Sequence, residues 1–433
     1  MVRRSSFTGE MASRRTFLKV AGATGMVGLA GCVQNNGGSN TPTATQSSGG
    51  AKTGTAKPPS IGTVKYGFLN PMTGPYGGLA KNQRRGNQLA VKHISESDNF
   101  DFDVKGFYED TETDPATGQQ KAQKLLSQDG VGYIMGAISS SVALGLNDFA
   151  KSNQIIYNPG GAAIDITGKN CNPYVFRFET NTAQIAQAGA TWTMNNLGTK
   201  VWFHIADYAW GNSVKKQWEM RMNNAGDLTV VGESKSKLGA GNFGSYISQI
   251  ADSGAEVAVL GLNGGDLIKF LKQAQSQGLQ DSVKLVSPTA SFQVVRAAAG
   301  DAAAGVWSAI RYLPKLTTGD NQQFVKEYQA EYGEVPDNFA RVGFDSVRMV
   351  ANGIQAAGSS DPTEVAKQLP GMEMTTIFGQ DQFRSCDHQA VNPVWMGKIN
   401  SPPSGETMPP VKVIKQVSGT DAIPPCDAVD CSL

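Results

Sequence analysis

The strongest constraint on the fold is a regular alternation of short apolar runs with amphipathic segments. In the middle of the chain such runs begin 27 to 29 residues apart, near Val201, Leu228, Val257 and Lys284. One β-strand and one α-helix fill an interval of this length, and such runs are typical of parallel strands that helices cover on both faces. The spacing therefore predicts an α/β fold with a parallel sheet.

An earlier series has the same form, with the apolar runs VKYGFL, FDVKGFYED, VGYIMGA and IIYN separated by helical patterns. Two series predict two Rossmann-like lobes, each a parallel sheet flanked by helices. We expect three crossovers between the lobes, at 175–182, 309–314 and 378–383. The expected lobes are 61–179 with 312–379, and 180–311 with 380–433.

The first 60 residues are predicted to lie outside this fold. Arg14 and Arg15 precede an apolar run of 11 residues, which is too short to span a bilayer and suits a twin-arginine export signal over 1–32. The run ends in LAGC, which resembles a lipobox and implies lipidation of Cys32, although a chance cysteine after a simple signal is the alternative. Residues 33–60 are rich in Ser, Thr, Gly, Asn and Pro, and are expected to be a disordered tether at the outer face of the cell membrane.

Charge and cysteine content narrow the possible partners. The chain has 38 Lys and Arg residues against 37 Asp and Glu residues, and this balance argues against nucleic acid, whose phosphates require clustered cations. The cysteines after Cys32, at 171, 386, 426 and 431, permit two disulfides in any of three pairings in an exported protein. No CxxC or HExxH motif occurs, so neither a metal site nor a cofactor is expected.

The carboxyl ends of the strands are the expected ligand site. Ligands of open parallel sheets bind beyond these ends, and two facing lobes would place them around one cleft. In GAISSSVALG, Ser139, Ser140 and Ser141 follow a strand and begin a helix, whose N-terminus favours an anion. Gly160 and Gly161 follow the next strand and let a ligand approach the backbone closely.

Six segments in order along the chain resemble the periplasmic binding proteins of branched-chain amino-acid and amide ABC importers: GFLNPMTGPYGG, FYEDTETDP, GYIMGAISSSVA, IIYNPGGAA, DYAWGN and GFDSVRMVANGI. The resemblance covers roughly 61–399. It implies a type I fold of two lobes that close on a ligand without catalysis. It also implies an extracytoplasmic location, with an ABC permease and its ATPase as partners.

The resemblance further implies a ligand site. The serine that grips the ligand carboxylate corresponds to Ser140, and Ala162 extends the backbone segment below the ligand. The implied ligand-binding residues are Tyr76, Ser140, Ser141, Gly160, Gly161, Ala162, Tyr208, Trp210, Asn263 and Thr289.

Two of these positions depart from the pattern of amino-acid binders. Such proteins usually have a hydroxyl residue at the position of Ala162, and at the position of Thr289 an acid that pairs with the ligand ammonium. A buried ammonium without a partner costs several kcal/mol. We therefore expect an amide, a urea-like solute or a carboxylate without an α-amino group, unless Asp207 or Asp345 replaces the missing acid.

Two other functional classes stay open at this point. A ligand sensor that signals to a membrane partner would use the same fold. A secreted serine hydrolase would need a base beside Ser140, but the chain has no GxSxG elbow and its three histidines are His93, His204 and His388. The segment GAGNFG matches a dinucleotide-binding glycine pattern, yet the preceding ESKSKL does not read as a buried strand, so we predict a loop before a helix.

Overall fold

The computed structural model describes residues 61–433. The predicted signal peptide, the candidate lipidation site Cys32 and the predicted tether lie outside these residues. Within the described range, no helix has both the length and the apolar character that crossing a bilayer requires.

The first lobe is built on a sheet of four parallel strands. They are β1 (Gly62–Asn70), β2 (Phe102–Asp110), β3 (Tyr133–Gly136) and β4 (Ile156–Pro159). Their order across the sheet is β2-β1-β3-β4. Asn70 pairs with Asp110, and Gly136 pairs with both Leu69 and Pro159, so the four carboxyl ends lie together at one edge.

A helix follows each of the first three strands: α1 (Gly77–Glu96), α2 (Pro115–Lys124) and α3 (Ser140–Asn153). At the start of α2 the side chain of Asp114 accepts a hydrogen bond from the backbone N–H of Thr117, and Pro115 occupies the first turn, a combination that favours helix initiation. The helix passes into a π-helical turn at Leu125–Asp129. The predicted alternation of strands and helices is therefore confirmed in this lobe.

The second lobe contains a sheet of seven strands. Its first part consists of α4 (Thr182–Asn196), β5 (Lys200–Ala206), α5 (Ala209–Ala225), β6 (Thr229–Ser236), α6 (Gly244–Asp252), β7 (Val257–Gly261), α7 (Gly264–Ser276), β8 (Lys284–Ser287), α8 (Gln293–Ala299) and β9 (Trp307–Ile310). These five strands are parallel, and the four that the regular spacing predicts are all present. Because β6 is an edge strand that runs on to Ser236, much of the polar ESKSKL segment is strand after all.

The chain then returns to the first lobe. The returning elements are α9 (Asn321–Tyr332), α10 (Asn338–Ala357), α11 (Pro362–Gln368) and the hairpin of β10 (Met374–Thr376) and β11 (Gly379–Asp381). A Cβ atom on Gly86 of α1 would lie 2.0 Å from the carbonyl oxygen of Ala340 on α10. Only glycine allows this approach, which locks the returning segment onto the first lobe.

Two antiparallel strands complete the second sheet, β12 (Val394–Ile399) and β13 (Val411–Val417), followed by the short helix α12 (Gly419–Ala422). The strand order is β13-β12-β9-β8-β7-β5-β6. These two strands are not predicted from the sequence.

Three segments carry the chain between the two sheets: 175–182, 311–314 and 382–393. We call them together the hinge. The first and third are bonded to each other, since Arg177 and Gln389 form a parallel bridge and the side-chain amide of Asn392 donates to the carbonyl of Phe178 at 2.5 Å. The third lies later than the expected 378–383, because Met374, Ile377 and Phe383 pack in the core of the first lobe.

All four cysteines of the described chain form disulfides, with the pairings Cys171–Cys431 and Cys386–Cys426. Cys171 belongs to the first lobe, whereas Cys431 ends the segment that follows β13 of the second lobe. The C-terminal segment therefore crosses back to the first lobe. This differs from the expectation that 380–433 belongs to the second lobe alone.

Asp381 connects the end of β11 to the hinge. Its Oδ1 accepts hydrogen bonds from the backbone N–H groups of Gln382 at 2.7 Å and Val391 at 2.9 Å, whereas its Oδ2 has no partner. Burial raises the pKa of this carboxyl from its ordinary value of 3.8 to about 7. The folded protein thus keeps a proton that the unfolded chain releases near pH 4, so the contribution of Asp381 to stability decreases as the pH rises from 4 to 7 and is lost above that range.

We expect Asp381→Asn to remove this dependence, because the amide oxygen keeps both backbone hydrogen bonds and cannot ionise. The free energy of unfolding of the variant minus that of the wild type should increase by roughly 4 kcal/mol between about pH 4 and about pH 7.5. Urea denaturation at several pH values measures this difference. A difference that stays constant with pH would show that Asp381 titrates normally.

Candidate ligand cleft

The carboxyl ends of the two sheets are joined by direct contacts between the lobes. Tyr76, at the start of α1, and Tyr208, at the start of α5, are hydrogen-bonded through their hydroxyls. The Oγ of Ser141 accepts from the backbone N–H of Ala209 at 3.5 Å. A Cβ atom on Gly264 would lie 3.4 Å from the side chain of Leu79. The described structure is therefore a closed arrangement of the two lobes.

Aromatic side chains from both lobes meet at this junction. Phe292 precedes α8 in the second lobe and Phe339 lies at the start of α10 in the first, and their rings pack edge to face with centroids 5.7 Å apart. Both rings belong to one apolar cluster that also contains Tyr76 and Ile138 of the first lobe. The walls of the cleft thus provide an apolar environment, with the tyrosine hydroxyls as polar groups.

The three serines lie where the sequence reasoning expects them, at the N-terminus of α3. The turn before them is strained, because Ala137 has a φ of 57°, a conformation that favours glycine. Ser140 is fully buried and its Oγ accepts from the backbone N–H of Ala163 at 3.1 Å. Only Ser141 reaches the opposite lobe, so the two neighbouring serines have different contacts.

Hydrogen bonds from a buried arginine fix the conformation of the loop after β4. Arg177 of the hinge donates to the carbonyl oxygens of Gly161 at 3.3 Å and Ala163 at 2.6 Å, and burial lowers the pKa of this guanidinium to about 9. A Cβ atom on Gly160 would lie 2.4 Å from Nε2 of Gln83. A side chain at position 160 would therefore displace the end of Gln83, so packing inside the first lobe favours glycine here in addition to any contact with a ligand.

The predicted residues of the second lobe are largely buried. Trp210 is 3% exposed and lies in a core cluster that also contains Ala162, with its ring 6.3 Å from that of Tyr208. Asn263 caps α7 through a hydrogen bond from the N–H of Gly264. The hydroxyl of Thr289 donates to the carbonyl of Leu262 at 2.7 Å, so it is already used within its lobe.

Arg311, in the second segment of the hinge, is a functional candidate that the sequence reasoning missed. Its side chain is 1% exposed, its Nη1 donates to the carboxylate of Glu179, and its guanidinium carbon lies 4.6 Å from the ring centre of Phe292. Its Nε and Nη2 have no hydrogen-bond partner among the described residues. An arginine inside the apolar run AIRYLP was the available signal, because a buried charge is costly unless it is paired.

The two tyrosines at the junction are neutral phenols. Burial raises the pKa of both Tyr76 and Tyr208, and the positive charge of Arg311 partly opposes this increase. The charge of Arg311 therefore acts on the pair of hydroxyls that joins the lobes.

Neither acid proposed to replace the missing ammonium partner is suitably placed. Asp207 is exposed and lies 3.9 Å from Lys235. Asp345 is buried and bonded to Arg348 at 2.7 Å and to the N–H of Ile377 at 2.9 Å. Asp266 does lie near the tyrosines, but it accepts from the N–H of Gly239 at 2.9 Å, and burial raises its pKa.

The three histidines have other contacts than Ser140. His204 is hydrogen-bonded to Ser234 at 2.8 Å, and burial lowers its pKa to about 4. His388 faces the carbonyl of Val175 at 3.2 Å and stacks on Phe176, and His93 pairs with Glu327.

Comparison with known proteins agrees with this architecture. A family model described as periplasmic binding protein matches residues 63–406. The Leu/Ile/Val-binding protein homolog 6 of Brucella melitensis is 27% identical over 326 residues, which cover 73% of this chain and 82% of that protein.

Solved structures have the same fold. A periplasmic binding protein from Burkholderia mallei has a TM-score of 0.79 at 24% identity, covering 86% of this chain and 99% of that chain. An ABC transporter solute-binding protein from R. palustris, solved in complex with benzoate, has a TM-score of 0.75 at 22% identity, covering 86% of this chain and 100% of that one. Because the family model matches most of the described residues, this chain belongs to the periplasmic binding protein family.

Proposed function

We propose that this protein is the extracytoplasmic solute-binding component of an ABC importer. It captures a small organic solute between its lobes and presents the closed form to a membrane permease, which an ATPase drives. The observation that carries the proposal is the contact of Tyr76 with Tyr208, which joins loops from the carboxyl ends of both sheets. Family membership supports the class of function, and the ligand is argued from the cleft.

Binding and closure are coupled in this proposal. The solute first contacts the first lobe at Ser140, Ser141 and the loop of Gly160 to Ala162, and the second lobe then closes over it with Tyr208 and Trp210. A ligand favours the closed form only through contacts that the open form lacks, so the interlobe contacts determine the response. Small rotations in the three segments of the hinge accommodate the movement.

The N-terminal segment supplies the membrane attachment in this proposal. A twin-arginine signal containing Arg14 and Arg15 directs export, and lipidation of Cys32 anchors the mature protein. The 28 residues from 33 to 60 then form a flexible tether with a root-mean-square span of roughly 30 Å. No catalytic step is part of the proposed function.

The proposed ligand lacks an α-amino group. Ala162 and Thr289 stand where amino-acid binders have ligand-binding side chains, and the acids near the cleft are engaged elsewhere. The names of the similar proteins provide two contrasting kinds of probe. Leucine, isoleucine and valine have an α-amino group, whereas benzoate has none.

Isothermal titration calorimetry of the mature protein tests the function. We expect micromolar or tighter binding of a carboxylate or amide, with a stabilisation of about 2.7 kcal/mol at a ligand concentration of 100 times Kd. Micromolar binding of leucine without any response to acids or amides would refute the proposed ligand class. Absence of binding, together with ester or amide hydrolysis that Ser140→Ala abolishes, would refute the binding function itself.

A further inference from the structure

We propose that Arg311 is the anion-recognition residue of the cleft, and that its Nε–Nη2 edge binds the carboxylate of a ligand that has an apolar body and no ammonium group. This inference rests on the proposed solute-binding function and adds the chemical class of the ligand and the residue that selects it.

The two unpaired nitrogens of Arg311 form a matched pair of donors. In a guanidinium group the Nε–H and one Nη2–H point in parallel, at a spacing that suits the two oxygens of a carboxylate. The third nitrogen, Nη1, donates to Glu179 and thereby fixes the plane of the group. The free edge is therefore preorganised for a bidentate contact, which reduces the entropy cost of binding.

The balance of charge at this point favours an anion. Glu179 is shared by two buried arginines, Arg311 and Arg341, so this cluster carries one more positive than negative charge. A buried charged donor without an acceptor is costly. A ligand carboxylate would satisfy both free donors of Arg311 and neutralise the excess charge.

The other arginine of the cluster shows that the free donors are specific to Arg311. Each nitrogen of Arg341 that can donate has an acceptor: Nε donates to Asn338, Nη1 to the carbonyl of Phe178, and Nη2 to Glu179 and Thr180. All donor nitrogens of Arg341 thus bond to acceptors of the protein itself, whereas Nε and Nη2 of Arg311 stay available for a ligand.

The surroundings of Arg311 indicate what the carboxylate is attached to. Its guanidinium lies over Phe292, which packs against Phe339 of the opposite lobe. A planar or branched apolar body attached to the carboxylate would lie among these rings, whereas an ammonium would be repelled by the positive charge of Arg311.

Matched pairs of carboxylates and neutral amides test the inference by calorimetry. The probes are benzoate with benzamide, and isovalerate with isovaleramide. We expect the wild type to bind the carboxylate of at least one pair about 100-fold more tightly than its amide. In Arg311→Lys the positive charge beside Glu179 remains, but the two parallel donors Nε–H and Nη2–H are lost. The ratio of carboxylate affinity to amide affinity should therefore decrease at least tenfold.

Arg341→Lys is the matched control, since it alters the same ion cluster on the other side of Glu179 and should leave the ratio unchanged. Chemical denaturation establishes that each variant is folded. Two results with the wild type alone would overturn the inference: equal affinity for acid and amide, or tighter binding of leucine than of isovalerate. An unchanged ratio of acid to amide affinity in Arg311→Lys would also overturn it. In each of these cases solute binding itself would stand, whereas absence of binding to every probe, including amino acids, would overturn both proposals.

Discussion

Glu179→Gln is expected to be strongly destabilising, with a loss of about 3–5 kcal/mol in the free energy of unfolding. Among the described residues, Glu179 is the only acid that forms an ion pair with Arg311 or Arg341, and all three side chains are at most 1% exposed. Neutralising it leaves two buried guanidinium groups without their shared counter-charge. The cluster also connects the first and second segments of the hinge to α10, so its loss affects the junction of the lobes.

Urea denaturation of the mature protein measures this effect, with Glu334→Gln as a control. Glu334 also pairs with two cations, Lys81 and Arg85, but its side chain is half exposed. Water screens such pairs, and we expect a loss below about 1 kcal/mol for the control. A comparable loss in both variants would contradict the role of Glu179 as a buried counter-charge.

Removal of the Cys171–Cys431 disulfide is expected to have an effect of similar size. The bond joins residues 260 apart in sequence, and the chain-entropy relation for a loop of this length gives about 5.6 kcal/mol. Cys386–Cys426 joins residues only 40 apart, for which the same relation gives about 4 kcal/mol. Cys171→Ser with Cys431→Ser should therefore destabilise the protein more than Cys386→Ser with Cys426→Ser.

The C-terminal segment gives this prediction a second consequence. Cys431 is covalently bonded to the first lobe although its segment follows β13 of the second, so the disulfide restrains the separation of the lobes. Denaturation of the two double variants gives the order of stability. A greater loss in the free energy of unfolding for the Cys386–Cys426 variant would show that the length of the loop closed by the disulfide does not determine the effect.

The regular parts of the fold were predictable because their signal is local. The runs beginning near Val201 and Val257 are short, apolar and evenly spaced, and each is a buried parallel strand. Helix α4 was not predicted because nearly all of its faces are buried, so its sequence has little polar periodicity. Its capping box, formed by Asn181 and Gln184, was nevertheless readable in the motif NTAQ.

The cleft was harder to predict than the fold. The positions of Ser140, Ser141 and Gly160 follow from the rule that sites lie at strand ends, but the sequence does not show what each side chain contacts. The hydroxyl of Thr289 donates to the carbonyl of Leu262, and that of Ser140 accepts from the N–H of Ala163. Arg311 directly follows the carboxyl end of β9, but the sequence does not show that it pairs with the distant Glu179, and its importance depends on this pairing.

The position of the ligand carboxylate can be determined in a crystal structure of the mature protein grown with benzoate. We expect benzoate between the lobes, with its two carboxylate oxygens at about 2.7–3.0 Å from Nε and Nη2 of Arg311 and its ring beside Phe292. Benzoate bound outside the interlobe cleft, or bound within it without a contact to either nitrogen of Arg311, would show that Arg311 does not recognise the ligand.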